Sequence, residues 1–94
     1  ALVDQYNREL HSYLVYTQLA AYVEQDNYLG FSKFFQHRAH EELTHSDKFF
    51  TYISDCGGLA DIKAMAEPKV KYDSLVGLFK QALDHEQYIS DNII

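Results

Sequence analysis

Glu42 and His45 stand three residues apart inside the stretch from Phe35 to Ile53. On a helix that step separates two side chains by about 60° in projection. Phe35, Phe49 and Ile53 share the same arc, so a carboxylate and an imidazole point at the core. Glu9 falls within the apolar arc of Leu2, Tyr6 and Tyr13, and Glu86 near the centre of the arc of Leu75, Leu78, Phe79, Ala82, Ile89 and Ile93. One unpaired buried carboxylate costs several kcal/mol, roughly. Three that converge on one core repel each other unless a cation sits between them. Carboxylate oxygens with one imidazole suit iron, manganese or zinc.

Glu-x-x-His is a weak signal by itself and a recurring device of di-iron sites when it lies on a bundle helix. The nearby His40-Glu41-Glu42-Leu43-Thr44-His45 imitates a zinc-protease motif, but that motif needs histidines four apart. His40 and His45 are five apart, about 140° in projection, and cannot chelate one ion from a regular helix. His37, His40, His11 and His85 read as solvated, and Glu41 as either exposed or an auxiliary ligand at the margin of the arc. Tyr16 lies about two turns beyond Glu9 on nearly the same line. It reads as a buried phenol bonded to Glu9 or Glu86, or as a redox-active neighbour of the carboxylates. Cys56, near a helix end on the apolar arc, reads as inert core.

Three helices must position these groups, at about 1–26, 32–57 and 74–94. The first carries no Gly or Pro and repeats apolar residues every three or four positions from Leu2 to Val23. Val15, Leu19 and Tyr22 form a second apolar row, read as a subunit contact. The short connection Asp26 to Gly30 makes the first two helices antiparallel neighbours, with Ser32 as the expected cap of the second and Gly57-Gly58 as its stop. Residues of about 58–73 include Pro68 and show no periodicity. About fifteen extended residues can run the length of a 26-residue helix, about 39 Å. This connection is therefore a crossover that sets the third helix parallel to the second, as in an all-α bundle with one long crossover.

Ninety-four residues suit a single domain. Fourteen acidic against eight basic residues argue against nucleic acid and anionic membranes and favour cations. The lone cysteine cannot form an internal disulfide, and no apolar run approaches a membrane span. With no signal peptide visible, a cytoplasmic setting is expected. Both ends read as cuts through helices.

The segments Asn7-Arg-Glu9-Leu-His-Ser-Tyr-Leu-Val-Tyr16, His40-Glu-Glu42-Leu-Thr-His45 and Asp84-His-Glu86-Gln-Tyr-Ile resemble the non-haem bacterial ferritins at that family's spacings, across the whole chain. The resemblance implies a ferritin-like four-helix bundle, here truncated to about three helices. It implies an oligomeric cage of 24 subunits that oxidises Fe(II) with dioxygen or peroxide and stores ferric mineral. By position, Glu9, Glu42 and His45 would hold the first iron. Glu42 would bridge to a second, which Glu86 also binds. Tyr16 would be the tyrosine beside the centre, and Glu41 part of a third iron position. Leu43 occupies the place where haem-binding relatives carry a methionine, so no haem is expected. The family's fourth helix is missing from this sequence. Two rivals stay open: a rubrerythrin-like di-iron peroxidase, which normally needs a Cys-x-x-Cys pair that is absent here, and a non-catalytic helical assembly module whose inward carboxylates pair with Arg8, Arg38 or lysines.

Overall fold

The computed structural model describes residues 1–68, 72 and 74–92, with side chains through residue 85. Three helices occupy the described residues: α1 (Leu2–Gln25), α2 (Leu29–Asp55) and α3 (Leu75–Asn92). Expectations that rest on the side chains of Glu86, Ile89 and Ile93 lie outside the described residues. No described helix is long and apolar enough to cross a membrane.

The first two helices end in the same way. At the end of α1, Asn27 takes a left-handed φ of 67° while its N–H bonds Glu24 O and the N–H of Tyr28 bonds Val23 O. At the end of α2, Gly57 takes φ 80°, its N–H bonds Ser54 O, and the N–H of Gly58 bonds Ile53 O. Each is a Schellman stop, which satisfies carbonyls that a helix end would otherwise leave open. Asn and Gly are the residues that tolerate the left-handed position.

The turn between α1 and α2 is tighter than expected, and α2 begins at Leu29 with Tyr28 as its cap residue. Ser32 is therefore not the cap. It lies inside the helix, fully buried, and donates from Oγ to Ala20 O at 3.1 Å while accepting from Gln36 Nε2 at 3.0 Å. A small hydroxyl fits here because α1 and α2 approach closely. At the start of α3, Ser74 Oγ accepts the N–H of Gly77 at 3.0 Å, a side-chain cap.

The crossover runs up α1. Asn7 clamps its start, donating from Nδ2 to Asp61 O at 2.9 Å and accepting the N–H of Lys63 at 2.8 Å. His11 meets Ala66 O at 3.3 Å, and Tyr72 stacks on Tyr22 with ring centroids 5.9 Å apart. A hydrogen bond to Asp26 raises the Tyr72 phenol above its ordinary value and ties the end of the crossover to the α1–α2 turn. The chain then returns as α3, with Leu78 and Ala82 in one core with Val15 and Leu19, and His85 against Ser12. Rising numbers on α1 thus meet falling numbers on α3. The third helix is antiparallel to α1 and parallel to α2, as the long connection requires.

That packing corrects two expectations. Val15 and Leu19 are buried beneath α3, and Tyr22 is covered by Tyr72, so this row is an intrachain seam rather than a subunit contact. A bundle helix has two neighbours and needs an apolar stripe for each. Cys56 is exposed at the C-cap of α2 rather than inert core, because the Gly57 turn lifts it off the helix face.

Candidate metal centre

The hairpin of α1 and α2 brings three of the expected ligands together. Glu9 and Glu42 are 2% and 3% exposed. Nδ1 of His45 lies 3.4 Å from Glu9 Oε2 and 3.5 Å from Glu42 Oε2. One donor atom from each residue lies within 4.8 Å of the others. Among the described residues, Oε2 of Glu9 accepts no hydrogen bond although it is fully shielded from water. Two like unit charges within 4.8 Å of each other repel by about 3.5 kcal/mol or more at an effective dielectric constant near 20.

The donors suit one ion. Ligands at about 2.1 Å from a common ion are at most about 4.2 Å apart, and the two distances from His45 Nδ1, 3.4 and 3.5 Å, fall inside that limit. His45 is the outermost of the three, with half its side chain exposed. It opens on a groove lined by Leu2, Lys48, Phe49 and Tyr52, and is less enclosed than its arc with Phe35 and Ile53 suggests.

Glu41 is not brought to this point. It is partly exposed and pairs with His37 at 3.2 Å and Arg38 at 3.5 Å. Arg38 also approaches the buried site, its Nη2 lying 3.7 Å from Glu42 Oε1. An arginine therefore meets one of the carboxylates, but on the oxygen that faces away from Glu9 and His45. The assembly-module reading, in which inward carboxylates are matched by cationic side chains, is met by Arg38 on that side.

Tyr16 is buried, with the Arg38 guanidinium 5.5 Å above its ring, Phe35 stacked at 6.3 Å and the His85 ring edge-on at 5.8 Å. His85 in turn shares a 2.9 Å hydrogen bond with the fully buried Ser12. His85 was expected in solvent, and the structure corrects this. The sequence did contain the signal, because Leu78, Ala82 and His85 follow a four-then-three step along the core arc. His11 is likewise half-buried against the crossover, whereas His37 and His40 are exposed as expected.

Residues 1–94 match the family model described as a ferritin-like domain. The chain is 38% identical over 90 residues to the bacterial non-heme ferritin of Staphylococcus aureus (strain USA300), covering 96% of this chain and 54% of that protein. To the bacterial non-heme ferritin of Escherichia coli O6:H1 it is 37% identical over 92 residues, covering 98% and 56%. Among solved structures, Chlorobium tepidum ferritin superposes with a TM-score of 0.90 at 33% identity, over 96% of this chain and 55% of that one. The open pore ferritin of Archaeoglobus fulgidus gives a TM-score of 0.90 at 31% identity, over 96% and 56%. The chain spans about half the length of these relatives.

Proposed function

Because this chain belongs to the ferritin family, and its three helices form part of a ferritin four-helix bundle, we propose that it takes part in iron storage and oxidises Fe(II) to Fe(III) at Glu9, Glu42 and His45. The observation that carries this reading is the shielded Glu9 Oε2, without a hydrogen bond among the described residues, aimed at the same point as Glu42 Oε2 and His45 Nδ1. A divalent cation there replaces repulsion with attraction.

Each residue has a definable task. The two buried carboxylates bring negative charge that favours the ferric over the ferrous ion, which makes the ion a better electron donor. Glu42 has an oxygen on each side and can bridge to a second Fe(II), for which Glu86 is the second carboxylate. Paired Fe(II) ions match the two-electron reduction of dioxygen to hydrogen peroxide, with two protons drawn from water. His45 ligates through an unprotonated nitrogen, and its half-exposed position leaves a route for entry. Tyr16 belongs to this reading as the redox-capable neighbour, and Glu41 as an auxiliary carboxylate at the rim. Assembly into a homo-oligomeric, 24-subunit cage, a cytoplasmic setting and the absence of haem follow from the same reading.

The test is anaerobic Fe(II) titration of the full chain followed by oxygenation, monitored through ferric absorbance. We expect two tightly bound Fe(II) per subunit and rapid oxidation. Glu42→Ala should lose rapid oxidation by about 100-fold or more, since even residues behind a metal ligand are worth 10–100-fold, while its sedimentation stays that of wild type. Wild-type rates in Glu42→Ala overturn the site.

A further inference from the structure

Arg38 spans three groups that the metal reading treats separately. Its Nη2 lies 3.7 Å from Glu42 Oε1, its Nη1 lies 3.5 Å from Glu41 Oε2, and its guanidinium lies over the Tyr16 ring. The two oxygens of Glu42 therefore face different cations: Oε2 looks toward Glu9 and His45, Oε1 toward Arg38. A carboxylate that bridges two ions with one oxygen to each uses both oxygens, and Oε1 is the one the guanidinium already addresses.

We propose that Arg38 is a displaceable counter-cation, which holds Oε1 of Glu42 in the metal-free protein and competes with a second divalent ion for that oxygen. The inference rests on the metal-site reading above. The Glu42 contact is longer than a hydrogen bond, so it is electrostatic and loose. Arg38 is 29% exposed and Glu41 40%, so the guanidinium can give up Glu42 and remain paired at the rim. The first ion enters on the Glu9 and His45 side without moving Arg38. The second must displace it, because a dication and a guanidinium repel when they share one oxygen. Glu41, which the sequence suggested as an auxiliary ligand, here receives the displaced arginine.

Zinc(II), which carries no redox chemistry, is the probe. Calorimetric titration of the full chain should resolve a first and a weaker second site in the wild type. In Arg38→Gln the second site should tighten by about three- to fivefold, the upper end of the scale for one partly exposed ion pair, with the first changed by less than about twofold. Arg38→Gln should also melt lower than wild type without zinc, yet gain more from saturating zinc. An unchanged second site, or a melting loss that is equal with and without zinc, overturns the proposal and leaves Arg38 a packing residue. Zinc binding that Glu9→Ala does not weaken overturns the metal-site reading itself, and this inference with it.

Discussion

Glu9→Gln is expected to stabilise the metal-free protein while removing its ability to bind and oxidise Fe(II). Glu9 is 2% exposed and its Oε2 faces another carboxylate without accepting a hydrogen bond among the described residues. An isosteric amide removes one of two mutually repelling charges and offers an N–H to Glu42 Oε2. Relief of a buried, poorly compensated charge is worth about 1 to 3 kcal/mol. The same change deletes a proposed ligand, so oxidation should slow by about 100-fold or more. Saturating zinc should no longer raise the melting temperature, whereas a ligand at 100 times its Kd stabilises an intact site by about 2.7 kcal/mol. Thermal unfolding with and without zinc reads both signs. Opposite effects on stability and activity are what a strained functional site produces. A Glu9→Gln protein that melts lower in both conditions shows Glu9 to be a structural residue instead.

Phe35→Ala should cost about 3 to 5 kcal/mol, the range for deleting a fully buried phenyl ring. Phe35 is 1% exposed and lies between the site and the third helix, with ring centroids 6.3 Å from Tyr16, 5.4 Å from Phe34 and 5.2 Å from Phe79. Its removal takes away the ring that Tyr16 stacks on and the contact that joins α2 to Phe79 of α3. Phe35→Leu, which keeps most of the volume, should lose less than about 1.5 kcal/mol. Denaturant unfolding measures both. A loss below about 1 kcal/mol for the alanine variant means that the three helices do not share this core.

The positions of Glu9, Glu42 and His45 were legible because helical spacing converts directly into direction. Glu9, Glu42 and His45 each lie on an apolar arc in the sequence, and the α1–α2 hairpin closes those arcs onto one another. The crossover was legible from length alone: residues 58–73 are too many for a tight turn, and the clamps at Asn7, His11 and Tyr22 follow their path along α1. Allocation of faces was less legible. One helix taken alone does not say which stripe meets its own chain and which meets another, so Val15 and Leu19 were assigned outward when α3 covers them. Ser32 followed the usual preference for a hydroxyl at a helix start, yet close approach to Ala20 placed it one turn inside. Arg38 was visible as a rival partner for the carboxylates, but which oxygen of Glu42 it faces depends on rotamers that spacing does not encode.

The central claim is that Glu9, Glu42 and His45 close on a single cation. Crystals of the full chain soaked in zinc(II), with data collected at the zinc edge, test it most directly. The account predicts an anomalous peak about 2.0 to 2.2 Å from Glu9 Oε2, Glu42 Oε2 and His45 Nδ1. Zinc bound elsewhere, with Arg38 reaching across to neutralise both glutamates, contradicts it.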